Sequence, residues 1–157
     1  MLETKKQFFK LLKFSNEFKK KNKSFFKEDP DSSRQLSKFL IKIEDNLHLR
    51  EKNTYIKLIK LFLDNQINAE DFSFYFIAQY DKINSILHEM EQNFEERFDE
   101  LVSILNENPN QKSKIGELLM FMYDNCDDFQ PNSNSGITDE ENLRNSAKVL
   151  LDELNKT

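Results

Sequence analysis

Residues 55–83, YIKLIKLFLDNQINAEDFSFYFIAQYDKI, decide the fold class. Ile56, Ile59, Leu61, Phe62 and Leu63 belong to an apolar helix running from about Asn53 to Asp64. Asn65 to Asn68 is a short polar connection. Asn68, with Asp71 three residues on, reads as a cap opening a second helix that keeps Phe72, Phe76, Ile77, Tyr80 and Ile83 on one side. Two such helices joined by so few residues argue for antiparallel neighbours in a bundle.

The same period extends in both directions. Phe8, Leu11, Leu12 and Phe18 predict an amphipathic helix over Glu3 to Lys21, with lysines on most other faces. Asn22 to Pro30 reads as a linker, and Asp31, Ser32 or Ser33 as the cap of a helix carrying Leu36, Phe39, Leu40, Ile43 and Leu47. Glu91 to Leu105 is acidic but keeps Phe94, Phe98, Leu101, Val102 and Leu105. After a loop around Pro109, Ser113 to Asp124 forms another helix with Ile115, Leu118, Leu119 and Met122 facing in. Asp127 to Gly136 is irregular, Thr138 with Glu141 reads as a capping box, and Leu143, Ala147, Leu150, Leu151 and Leu154 follow on a last helix. With only 2 Gly and 3 Pro among 157 residues, the chain lacks the punctuation that many short strands require. The expectation is an all-α antiparallel bundle of five to six helices, residues 51–157, preceded by a basic N-terminal helical arm over 1–50.

Charge is divided along the chain. Met1 to Lys60 holds 16 Lys+Arg against 8 Asp+Glu, whereas Leu61 to Thr157 holds 7 against 20. The acidic remainder repels nucleic acid and attracts basic proteins. The lysine-rich segment admits two readings: an arm that contacts an anionic surface, or an extra helix that packs through Phe8, Leu12 and Phe18 and leaves its lysines in water. A single cysteine, Cys126, excludes an internal disulfide and fits a reducing compartment. No apolar run approaches the roughly 20 residues that span a bilayer. Glu3, Glu17 and the lack of Arg before Arg34 disfavour a transit peptide. The cytoplasm, or the interior of a genome-bearing organelle, is the expected location.

Chemistry-bearing constellations are missing. His48 and His88 lie forty residues apart, in no ligand spacing. Cys126 has no neighbouring His and sits at a helix carboxyl end, where the dipole works against a thiolate. Acidic pairs such as Glu95/Glu96 fall in polar stretches without a substrate platform, Asp124 to Asp128 lacks the glycine and distal Glu of a calcium loop, and the glycines Gly116 and Gly136 form no phosphate cradle. The expectation is a non-enzyme without metal or cofactor that works by binding another macromolecule.

Two stretches carry a resemblance. Ile56 to Phe72 is an apolar helix ending in Leu-Phe-Leu, a short turn, then Ile-x-Ala-x-x-Phe. Leu118 to Pro131 is an apolar helix followed by Phe-x-Pro in an acidic loop, and Ile137 to Leu143 is an acidic helix start. Together they resemble the colicin D immunity protein family over roughly residues 55–157. Two additions depart from the short form of that family: about fifty basic residues in front, and an acidic insert around Glu89 to Asn110. The resemblance implies a bundle that binds the basic active site of a nuclease toxin domain, tRNase-like in kind. On that reading Asp124, Asp127, Asp128, Asp139, Glu140 and Glu141 would meet toxin Lys and Arg, and Phe129 and Pro131 would hold the loop. Cap and dipole duties compete for Asp139 to Glu141. The alternative is a structural or adaptor protein docking on a larger assembly, since a shared fold does not carry function with it. A nucleic-acid binder using the lysine-rich segment ranks behind both.

Overall fold

The computed structural model describes residues 2–110, 114–129 and 138–157. Every regular element among them is helical: α1 (Leu2–Lys20), α2 (Phe25–Glu28), α3 (Pro30–Arg50), α4 (Lys52–Leu63), α5 (Ala69–Gln92), α6 (Phe94–Leu105), α7 (Ile115–Asp127) and α8 (Glu140–Asn155). The all-α expectation holds: among the described residues, 51–157 carry five helices, α4 to α8, and the N-terminal segment carries α1 to α3. The segment holds one short helix that the sequence did not suggest. Ser24 accepts from Lys27 N and winds one turn, α2, inside the expected linker. Asn93, at φ −110° and ψ 33°, interrupts what would otherwise run on from α5 into α6.

Caps follow residue chemistry, not always at the expected position. Asn68 Oδ1 accepts from Asp71 N at 2.8 Å, opening α5 as its sequence predicts. At α3 the capping residue is Asp29, one position before Pro30, not Asp31, Ser32 or Ser33: its Oδ1 accepts from Ser32 N at 3.1 Å. Proline suits the first helical position because its missing N–H would have no partner there.

Two compact units are interleaved along the sequence: unit 1 comprises residues 1–46 and 85–110, unit 2 residues 47–84 and 111–157. Most of the basic first fifty residues and the acidic stretch from Glu89 to Asn110 therefore fall in unit 1. Phe8, fully buried, meets Phe39 at 4.9 Å and Phe98 at 5.7 Å between ring centroids. Phe9 meets Phe94 and Phe98 edge-on at 5.5 and 5.1 Å. An amphipathic helix cannot bury its apolar stripe alone, and α1 and α6 each supply the cover the other lacks. Of the two readings of the lysine-rich segment, the packed helix is the one observed: Phe8, Leu11 and Leu12 are buried, while Lys5, Lys6, Lys10 and Lys13 are exposed. Asn46 of α3 donates to Ile104 O at 2.8 Å, beside the bond that carbonyl takes from Glu107 N, and to Glu107 O at 3.0 Å, tying α3 to the turn after α6.

This pairing cancels charge. Unit 1 holds 13 Lys+Arg and 14 Asp+Glu, and unit 2 holds 10 and 14, so their nets of −1 and −4 make up the total of −5. The asymmetry along the chain is largely absorbed where the basic segment and the acidic insert share one unit.

Unit 2 is an antiparallel four-helix arrangement. Phe62 stacks on Phe72 at 4.3 Å and Tyr55 meets Phe76 at 5.3 Å, which joins α4 to α5. Tyr80 meets Tyr123 at 4.8 Å, which joins α5 to α7, and α8 packs against both α7 and α4. The cyclic order is thus α4–α5–α7–α8. Tyr55, Ile59, Phe62, Phe72, Phe76, Leu119, Met122, Leu143 and Leu150 lie in the core between them. Among the described residues no helix is long and apolar enough to cross a membrane.

Candidate functional site

The six acidic residues singled out from sequence lie on α7 and α8 of unit 2. Asp124 and Asp127 are exposed on the last turn of α7, and Asp128 is its exposed C-cap. A relay of polar side chains holds the two helix ends together. Thr138 donates to Asn125 Oδ1 at 3.1 Å, and Asn125 Nδ2 donates to Ser146 Oγ at 2.9 Å. The amino end of α8, with Asp139, Glu140 and Glu141, is thereby set beside the carboxyl end of α7. Pro131 of the expected loop lies outside the described residues; Phe129 packs against the core.

The six are not equivalent. The N-cap of α8 is Asp139 rather than Thr138, which corrects the expected capping box: Asp139 Oδ1 accepts from Asn142 N at 2.9 Å. Thr138 is committed instead to Asn125. Glu140 pairs with Arg144 through two bonds of 3.1 and 3.0 Å. Glu141 is exposed on the first turn, where the positive end of the helix dipole stabilises a carboxylate. Structural work therefore occupies Asp139 and Glu140. Among the described residues Asp124, Asp127 and Asp128 form no ion pair.

A seventh acid escaped the sequence reading. Asp81 on α5 accepts a hydrogen bond from the Tyr123 phenol, and the tyrosine's pKa is raised, first by burial, then by Asp81, with Asp127 and Asp124 adding to it. The exposed position of Asp81 between Tyr80 and Lys82 was the one available signal, and it identifies no partner helix. Carboxylates on two helices, α5 and α7, thus act on one phenol. Exposed apolar side chains adjoin them on α7: Met120 is 54% and Phe121 57% exposed.

Two other reactive groups of unit 2 are buried. His48 is buried, its Nδ1 2.8 Å from the Tyr55 hydroxyl and its ring stacked on Tyr80 at 4.7 Å. Cys126 is buried in the last turn of α7, and burial pushes its thiol up to about 12, opposed weakly by Ser73. In unit 1, burial raises the Glu91 carboxyl despite nearby Lys19 and His88. Among the described residues no group of three or more His, Cys, Asp or Glu is placed to hold a metal ion. What the corner formed by α7 and α8 can do chemically is accept hydrogen bonds and attract cations. No protein-family model, no curated protein and no solved structure matches the chain.

Proposed function

We propose that the protein is an immunity-type inhibitor, which binds the nuclease domain of a toxin and occludes its basic active site with the acidic corner of unit 2. One observation carries this reading. Asp124, Asp127 and Asp128 crowd the carboxyl end of α7, which has no basic residue in its last turn. A carboxylate there opposes the helix dipole at a cost of about 0.3–1 kcal/mol each, so folding alone disfavours all three. A cationic cleft offsets that cost. Carboxylates on such a corner present charge as a phosphate backbone does, and steer association with a basic partner. Phe121 and Met120 beside them supply the kind of apolar anchor that interface energetics favour.

Unit 1 favours a second reading, a structural or adaptor protein on a larger assembly. It is a compact unit that the resemblance does not cover. Its near-neutral balance weighs against binding to nucleic acid.

The deciding experiment is affinity capture from the native host with mass spectrometry of what is retained. A small basic nuclease, released by high salt and inhibited when the protein is added back, supports the inhibitor. A large assembly without a nuclease supports the adaptor. With the partner in hand, Asp127→Lys with Asp128→Lys is the informative reversal, because Glu140 also holds Arg144. Binding should be lost while helicity stays and the melting temperature holds or rises. Retained binding removes the assignment of the corner.

A further inference from the structure

The outward side of α5 in unit 2 is apolar where the cyclic order leaves it uncovered. Phe74 is 69% and Tyr75 53% exposed, and Ala78 lies one turn on in the same exposed stripe. Scattered exposed apolar residues are ordinary, but a contiguous patch marks a contact site. What distinguishes this patch is the division of charge across it. On the α4 edge stand Lys57, which lines the groove there, and Lys82 of α5; on the α7 edge stand Asp124 and Asp127. None of these four forms an ion pair among the described residues.

We propose that this face binds a second copy of the chain, with a two-fold axis running parallel to α5. Such an axis turns one copy's α4 edge onto the other's α7 edge and preserves height along α5, so a face basic on one side and acidic on the other is complementary to itself. The heights agree. Phe62 lies level with Phe72 and Tyr55 with Phe76, which sets Lys57 beside the 72–76 stretch of α5. Tyr123 lies level with Tyr80 and Cys126 with Ser73, which sets Asp124 and Asp127 along the same stretch, from about Ala78 down to Ser73. Lysines of one copy therefore meet aspartates of the other twice.

The apolar centre also matches. Between α4 and α5 runs a groove of about 260 Å³ lined by Thr54, Lys57, Leu58, Leu61, Tyr75 and Gln79. Phe74 sits one residue round the helix from Tyr75, on the side towards Asp81 and α7. The axis brings that ring opposite the groove of the other copy at its own level. Gln79 Nε2, in the groove wall, is buried without an acceptor and can donate to a group that the incoming copy carries.

Sedimentation equilibrium at about 100 μM tests the dimer, a concentration suited to micromolar association. Wild type should be dimeric and weaken with salt. Lys57→Glu with Lys82→Glu, and separately Asp124→Lys with Asp127→Lys, should each weaken association about tenfold or more, with helicity unchanged by circular dichroism. Mixed in equal amounts, the two variants should form a heterodimer, because the reversed edges again face opposite charge. A monomeric wild type, a dimer indifferent to both reversals, or a mixture that stays monomeric overturns the proposal. The result is separable from the inhibitor reading: Lys57→Glu with Lys82→Glu leaves Asp127 and Asp128 intact and should still capture a basic partner.

Discussion

Replacing Arg144 by Ala tests whether unit 2 is closed by a clasp between α8 and α4. The guanidinium lies over the Phe62 ring at 4.4 Å, donates from Nη1 to Phe62 O at 3.0 Å and from Nη2 to Asn65 Oδ1 at 2.7 Å, and pairs with Glu140. Phe62 O belongs to the last turn of α4, whose carbonyls have no intrahelical donors, and Asn65 turns the chain with φ 59°. A hydrogen bond from a charged donor contributes about 1.5–3 kcal/mol when buried. Only the bond to Phe62 O is part-buried, and the Arg144 side chain is 24% exposed, so the lower part of that range applies once; the bond to Asn65 Oδ1 is exposed and adds little. The stacked cation adds about 0.5–1 kcal/mol and the exposed Glu140 pair about 0.3–0.5 kcal/mol. Arg144→Ala should therefore cost about 2–3 kcal/mol, a fall in melting temperature of roughly 5–10 °C for a chain of this size. Urea denaturation followed by circular dichroism measures it. Lysine cannot bond Phe62 O and Asn65 Oδ1 together with a planar fork, so Arg144→Lys should recover less than half. An Ala variant within about 0.5 kcal/mol of wild type, or a Lys variant equal to it, refutes the clasp.

Two further expectations concern the cores. Phe8→Ala should destabilise unit 1 by about 3–5 kcal/mol and expose α6 as well as α1 to amide hydrogen exchange, because Phe8 packs on Phe98; protection retained throughout α6 would contradict the pairing. Cys126 should resist a disulfide reagent at pH 8 until the protein unfolds. Its folded pKa stands near 12 against an ordinary 9.0, so its contribution to stability is full below about pH 9 and falls as pH rises towards 12; Cys126→Ala should flatten that slope.

The local signals were legible in the sequence. Asn68 capping α5 and the apolar faces of α4, α7 and α8 all depend on residues within a few positions of one another. The misplaced caps show where such reading stops. Asp29 and Asp139 each stand a residue or more from the expected position, because Ser, Thr and Asp neighbours compete for the same backbone N–H groups and only the packed helix end decides among them. At the candidate site, sequence set Asp139 to Glu141 at a helix start but left Asp127 in an irregular stretch, whereas α7 runs on to include it; nor did sequence separate Asp127, which opposes a dipole, from Glu140, which is held by Arg144. It missed Asp81, whose tie to Tyr123 spans forty-two positions.

By itself, then, the sequence determined that this chain is helical, where most of its helices lie, and which face of each is apolar, because those properties follow from periodicity and from bonds within one turn. Tertiary structure alone decided which apolar faces cover each other. Pairing α1 with α6 puts the basic segment and the acidic insert into one unit and removes most of the charge asymmetry that counting along the chain displays. Charge acts through space rather than along the chain, so only the folded arrangement says which carboxylates remain uncompensated: three aspartates at the end of α7, beside a face whose lysines lie on its opposite edge.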